Sequence, residues 1–200
     1  LAGKHKCVIL AGGTSRRFGA QDKALAKLGG RALIAHVIER ISEDGTDLAV
    51  NTSDKGGYAN FGLPLLADIV PGRLGPLAGV LTAMRWAGEQ GAETVFTLPA
   101  DMPFLPANLL ATLDAAEAPV VMAESGGQTH HLCARWTCSL ADDLEHALLE
   151  EGVRAVWAYA QRHAAVTAEF SRRDGVDPFF NVNSIADLAD ARSFLDRLQE

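Results

Sequence analysis

Short apolar runs that each stop at a glycine, asparagine or aspartate, with helical segments between them, constrain this 200-residue chain more than any other feature. Lys6–Leu10 reads as a buried strand ended by Ala11-Gly12-Gly13, and Asp47–Val50 as a second strand ending at Asn51. Leu63–Ala67 reads as a third, ending at Asp68, and Thr94–Leu98 as a fourth, followed by Pro99-Ala100-Asp101-Met102-Pro103. Between them, Ala32–Ile41 carries apolar residues at helical spacing (Leu33, Val37, Ile41; Ile34, Ile38). Pro76–Trp86 opens on a proline suited to a first helical turn, and Pro106–Ala115 reads as a third helix before a strand over Ala118–Ala123. Strands alternating with helices predict an α/β fold, a mostly parallel sheet with helices on both faces. Right-handed crossovers then bring the C-terminal strand ends to one rim, where open α/β sheets bind ligands. Gly12-Gly13, Asn51, Asp68 and Asp101 all follow strands and are expected on that rim. Proline on both sides of Asp101 stops its strand and stiffens the turn that holds it.

The stretch from about 130 to 170 has a weaker pattern. It reads as a strand, a helix over 139–150, a shorter helix near 153–161 and a strand over 164–169. Ser184 caps a closing helix to Leu198, with Asp187 in the capping-box position. The chain reads as one domain over 1–200, with a nucleotide-binding part over about 1–105 and an acceptor part over about 106–200.

Charge is distributed unevenly. The net charge is −7, yet Lys4, Lys6, Arg16, Arg17, Lys23, Lys27, Arg31 and Arg40 face only Asp22 and Glu39 in the first forty residues. A small anionic ligand near the N-terminus accounts for that cluster, and so does a solvated basic face. Nucleic acid fits poorly, because the remaining body is acidic and no aromatic-basic pattern is present. No apolar run approaches a membrane span, and the first strand leaves no room for a leader, so a cytosolic protein without membrane association is expected. Cys7, Cys133 and Cys138 form no disulfide framework, and with His130 and His131 they match no four-ligand zinc spacing.

The first loop, Leu10 to Lys23, lacks both the G-x-G-x-x-G dinucleotide fingerprint and the G-x-x-x-x-G-K-[ST] phosphate loop. Its paired glycines still let backbone N–H groups approach a polyphosphate, and Arg16, Arg17 and Lys23 can neutralise one. A glycine turn with surface bases is the alternative. No Ser-His-Asp or Cys-His set stands out, and Ser15 reads as a loop hydrogen-bonder.

The pattern L-A-G-G-x-S-x-R-x-G-x-x-D-K over Leu10–Lys23 resembles the signature loop of the NTP-transferase superfamily, and within it the molybdenum cofactor guanylyltransferases. The resemblance continues in order through Asn51, Asp68, Gly75-Pro76-Leu77-Ala78-Gly79, the Asp101 turn and Asn181-Val182-Asn183-Ser184. It departs at Phe18, where methionine is common, at Ser184-Ile185 in place of Thr-Pro, and at His130-His131 in place of His-Pro.

The resemblance implies a three-layer Rossmann-like nucleotidyltransferase fold in which Leu10, Ala11, Gly12 and Gly13 line the nucleotide site. Lys23 is expected on the nucleotide, Arg17 on its phosphates, and Asn51 and Asp68 on the guanosine part. Asp101 is expected to hold Mg²⁺, a hard cation that takes one or two carboxylates with phosphate oxygens and water. Asn181 and Asn183 fall on the molybdopterin side. Catalysis is thereby assigned to Arg17, Lys23 and Asp101. GTP and molybdopterin cofactor are the implied substrates, with molybdenum-enzyme maturation proteins as further partners. Transfer from CTP or to another phosphorylated acceptor stays open, as does a carrier that binds without catalysis. A dinucleotide-dependent oxidoreductase is disfavoured by the missing glycine fingerprint.

Overall fold

The computed structural model describes residues 5–12, 22–42 and 45–199. Seven strands form one sheet in the order β5-β4-β1-β6-β8-β7-β9. They are β1 (Lys6–Leu10), β4 (Asp47–Asn51), β5 (Leu65–Leu66), β6 (Thr94–Pro99), β7 (Val120–Ser125), β8 (Gln128–Thr137) and β9 (Val166–Glu169). β1 runs parallel to β4 and β6, β4 to β5, and β7 to β9, while β8 runs against both β6 and β7. The mostly parallel α/β sheet read from the sequence is therefore present, with one reversed strand inside it. A two-stranded ribbon, β2 (Lys27–Leu28) with β3 (Arg31–Ala32), stands apart.

Seven helices complete the described chain: α1 (Leu33–Ser42), α2 (Lys55–Tyr58), α3 (Pro76–Gly88), α4 (Leu109–Asp114), α5 (Ala141–Leu149), α6 (Val156–Arg162) and α7 (Ile185–Gln199). Alternate strand residues face opposite layers, as the pleat requires. Cys7 and Ile9 of β1, with Phe96 and Leu98 of β6, join the cluster of α1 and α4. Val8 and Val95 join the opposite cluster, formed by α3, α5 and α6. A third, smaller cluster packs α7 residues such as Ala191 against Leu28, Leu33 and Val182. Burying both faces of the sheet is what makes its central strands continuous apolar runs.

Several element boundaries differ from the sequence reading by one to three residues. Helix α4 begins at Leu109 rather than Pro106, because Pro106–Asn108 form a turn closed by Leu109 N–H on Pro106 O at 3.0 Å. The ribbon β2–β3 and α2 lie where the apolar spacing is too short to register. None of the helices among the described residues is long and apolar enough to cross a membrane.

The register defines the rim. Leu10 pairs with Asn51 on one side and Pro99 on the other, and Asn51 pairs with Leu66. Leu66, Asn51, Leu10 and Pro99 thus form one row across four parallel strands. The residues just beyond that row include Asp68, Thr52, Ala11-Gly12 and Ala100-Asp101.

Candidate active site

Backbone hydrogen bonds continue across the rim after the strands end. Ala11 N–H donates to Asn51 O at 2.9 Å, Ala100 N–H to Leu10 O at 3.1 Å, and Thr52 N–H to Leu66 O at 2.9 Å. These bonds fix where each loop departs, so the side chains that follow have set positions. Gly13 and Arg17, expected on the phosphates, lie outside the described residues.

On one side of the rim, Asn51 is buried and its amide donates to Leu66 O at 3.2 Å and to Asp68 Oδ1 at 2.9 Å. Its carbonyl oxygen lies against α3, where a Cβ on Gly79 would come within 2.6 Å of it and within 3.0 Å of Leu10 Cδ2. Glycine at position 79 is thus what allows the helix to approach the ends of β1 and β4. A Cβ on Gly12 would meet Asn51 Oδ1 only at 3.9 Å, ordinary contact. Thr82 ties the loop carrying Asp68 to the same helix: its hydroxyl donates to Ala78 O at 2.9 Å and accepts from Ile69 N–H at 3.2 Å. Asp68 itself is exposed.

On the other side stand Lys23, Asp101 and Asn183. The Lys23 ammonium is ion-paired with Asp101 Oδ2 and donates to Asn183 Oδ1 at 2.7 Å. Each partner is held independently. Asp22 caps the short turn Lys23–Leu25 by accepting from Ala24 N–H at 3.0 Å, and its other oxygen accepts from Tyr58 Oη at 2.7 Å. Tyr58 is fully buried, and burial, then Asp22, pushes its phenol well above the usual range, so it acts as a donor. Val182 N–H donates to Asp101 O at 3.0 Å, fastening the 181–183 segment to the aspartate turn. Ser184 accepts from Asp187 N–H at 3.2 Å, and Asp187 reaches back to Asn183 N–H at 2.8 Å. Ser184 thus caps the helix as expected, and only the return bond of the capping box is shifted one residue outward, onto the asparagine that meets Lys23.

The donor set fits a hard cation. Among the described residues, three buried side-chain oxygens have no hydrogen-bond partner, and two of them are Asp101 Oδ1 and Asn181 Oδ1. A buried oxygen without a donor costs about 1–3 kcal/mol unless a cation or water serves it. No group of three His, Cys, Asp or Glu comes together among the described residues, so a cation at Asp101 would take its remaining ligands from substrate and water. Cys133 is close by, but burial, then the charge of Asp101, pushes its thiol up and keeps it neutral.

Sequence reasoning missed a second network behind the 181–183 segment. Ser125 Oγ donates to the Asp177 carboxylate at 2.9 and 3.1 Å and contacts His130 Nε2 at 2.8 Å. With its proton on Asp177, the serine oxygen accepts from His130, which fixes the Nε2–H tautomer. The His130 ring stacks on Phe179 at 4.5 Å, and burial lowers its pKa although Asp177 opposes the shift. Serine, not histidine, is the middle member, so the set is a strut rather than a nucleophile with its base. The basic cluster near the N-terminus is also divided. Lys6 sits at the opposite end of β1 from the rim, bonded to Asp47 at 2.6 Å, and Arg31 pairs with Glu39 at 2.9 Å.

Comparison with known proteins bears on the family and the fold. A family model described as the MobA-like NTP transferase domain matches residues 7–166. A molybdenum cofactor guanylyltransferase of Rhodopseudomonas palustris (strain BisB5) is 41% identical over 92% of this chain and 90% of its own length. One of Acidiphilium cryptum (strain JF-5) is 43% identical, with 94% of each chain covered. In fold, the chain is similar to the crystal structure of molybdopterin-guanine dinucleotide biosynthesis protein A from Archaeoglobus fulgidus. That likeness has a TM-score of 0.74, 24% identity, and coverage of 96% of this chain and 99% of the other.

Proposed function

The chain belongs to the MobA-like NTP transferase family, and on that footing we propose that it transfers GMP from GTP to the terminal phosphate of molybdopterin cofactor. An acceptor phosphate oxygen attacks the α-phosphorus of GTP in line. The bond from the α-phosphorus to the bridging oxygen breaks, and its electron pair leaves with pyrophosphate. The product is a guanine dinucleotide form of the cofactor.

The observation that supports this reading most is the meeting of Lys23, Asp101 and Asn183, with Asp101 Oδ1 buried and without a donor. Asp101 would hold Mg²⁺, and the ion would neutralise phosphate charge and orient both reactants. Lys23, with Arg17 and the amides of Gly12 and Gly13, would stabilise charge on the departing pyrophosphate. Leu10 and Ala11 line the floor, and Asn51 orients Asp68 toward the guanine edge, whose N1–H and N2–H₂ groups are donors. Asn181 and Asn183 bind the acceptor. In this reading residues 1–200 form one domain, with the nucleotide part over about 1–105 and the acceptor part over about 106–200. In this reading the enzyme works in the cytoplasm, where GTP is available, and delivery of its product would involve proteins that mature molybdenum enzymes.

One assay tests it. The protein is incubated with each NTP, Mg²⁺ and molybdopterin cofactor, with mass spectrometry of the product and measurement of pyrophosphate. A GMP-bearing cofactor with stoichiometric pyrophosphate is expected. Binding of GTP and acceptor without pyrophosphate release would make the chain a carrier instead.

A further inference from the structure

One ammonium group joins the two halves of the site. Lys23 is paired with Asp101 Oδ2 and donates to Asn183 Oδ1 at 2.7 Å, bridging positions 160 residues apart in sequence. We infer that Lys23 is the resident cation of the site and exchanges with the divalent metal. Metal and GTP then enter as a pair, and the acceptor follows. The inference rests on the proposed roles of Asp101 and Asn183.

The argument is electrostatic. Asp101 is only 8% exposed, so charges on its carboxylate are poorly screened. A divalent ion arriving alone would share that carboxylate with an ammonium, and the like charges repel. A metal–triphosphate complex removes the conflict, because it brings the replacement cation and also an anionic destination for Lys23. A lysine suits such an exchange better than an arginine. Its charge is compact, its four-carbon stem is flexible, and it has no planar fork to realign. The anchors of its two partners do not depend on it. Val182 N–H holds the Asp101 turn, while Ser184 and Asp187 hold the backbone at Asn183. When Lys23 turns to the phosphates, Asn183 stays in place with its carbonyl oxygen released. The acceptor therefore finds its asparagine available only after the nucleotide has bound.

The test uses Mn²⁺ as the probe, followed by electron paramagnetic resonance of the free ion, with and without GTP and with no acceptor present. Wild-type protein is expected to bind Mn²⁺ alone at least tenfold more weakly than Lys23→Gln does. With saturating GTP, wild type should bind Mn²⁺ at least as tightly as the variant. Equal affinity of both proteins for Mn²⁺ alone would overturn the exchange and leave the assignment of Asp101 standing. Asp101→Asn separates the two questions. If it leaves Mn²⁺ binding in the presence of GTP unchanged, Asp101 is not the metal ligand and both readings fall. A wild-type titration at several GTP concentrations needs no variant to fold. Mn²⁺ affinity that does not rise with GTP also overturns the paired entry.

Discussion

Tyr58, with no exposed surface, donates its phenolic hydrogen to Asp22 across 2.7 Å, one residue before the lysine that meets Asp101. The short turn that carries Lys23 is thus tied to the core through the residue before it. Tyr58→Phe keeps the packed ring and removes one bond to a charged group, worth about 1.5–3 kcal/mol. We expect a modest fall in Tm and a rise in the KM for GTP of about tenfold, with kcat less affected. Loss of thermal stability with an unchanged KM would make the tyrosine a core residue and nothing more.

Asp101→Asn removes the charge that faces Lys23 and an incoming cation, while keeping the shape of the turn. The fold should persist, because Val182 bonds the backbone carbonyl and not the side chain. Turnover should fall by about 10²–10³, the range for removing one preorganised electrostatic group. Near-normal turnover at saturating Mg²⁺ would exclude Asp101 as the principal ligand.

The two glycines that approach Asn51 Oδ1 should respond differently to alanine. Gly79→Ala forces a methyl group to within 2.6 Å of Asn51 Oδ1 and should destabilise the fold by about 1–3 kcal/mol, partly offset by alanine's helix propensity. Gly12→Ala meets only ordinary contact and should fold normally, with its effect confined to nucleotide choice. Chemical denaturation of both variants, alongside GTP and CTP kinetics, checks the contrast.

Nucleotide choice should depend on Asp68. GTP is expected to be preferred over CTP by at least about tenfold in kcat/KM, since polar groups built for guanine donors stay unpaired against cytosine. Asp68→Ala should narrow that ratio, and Asn51→Ala should do the same by releasing Asp68. Equal use of CTP by the unmodified protein would refute the guanylyl assignment and leave the nucleotidyl transfer intact.

Asn181 and Asn183 should separate. From sequence alone, both belong to the acceptor side, and replacing either should spare GTP. The contact between Asn183 and Lys23 changes that expectation. Asn181→Ala should weaken acceptor binding only, whereas Asn183→Ala should alter both acceptor and GTP binding. Calorimetry with GTP alone distinguishes them.

His130 contributes a pH dependence. Its folded-state pKa lies below the ordinary 6.5, chiefly through burial, so the native state favours the neutral ring. A depressed pKa gives stability that is present above about pH 6.5 and is lost as pH falls through the folded value. His130→Gln should flatten that part of the profile relative to wild type in denaturation between pH 5 and 7. An identical slope in the two proteins would show that other groups carry it.

How legible all this was depended on distance along the chain. The strand ends at Leu10, Asn51, Leu66 and Pro99 were readable to within one residue, because apolar runs closed by turn-forming residues are local signals. So was the cap at Ser184, within three residues of its partner. Tyr58 was not, because Ser53–Gly62 has no apolar period and its partner is 36 residues away. The Ser125–Asp177 bond spans 52 residues and the Lys23–Asn183 bond 160, and no local pattern announces either. Nor could the reversal of β8 be read, since buried parallel and antiparallel strands in the same sheet have similar composition. The Gly126-Gly127 pair between two apolar runs was the available clue.

That reversed strand has an evolutionary consequence. Because β8 runs against β7, the Gly126-Gly127 hairpin, with Arg172 lying over it, emerges at the edge where β6 delivers Asp101. A hairpin tip can lengthen, shorten or change sequence without altering any helical crossover, whereas the loop after β4 leads directly into α2. Selection acting on β-turn length could therefore remodel one wall of the cleft for new phosphorylated acceptors while the opposite wall, inherited unchanged, kept handling the nucleotide.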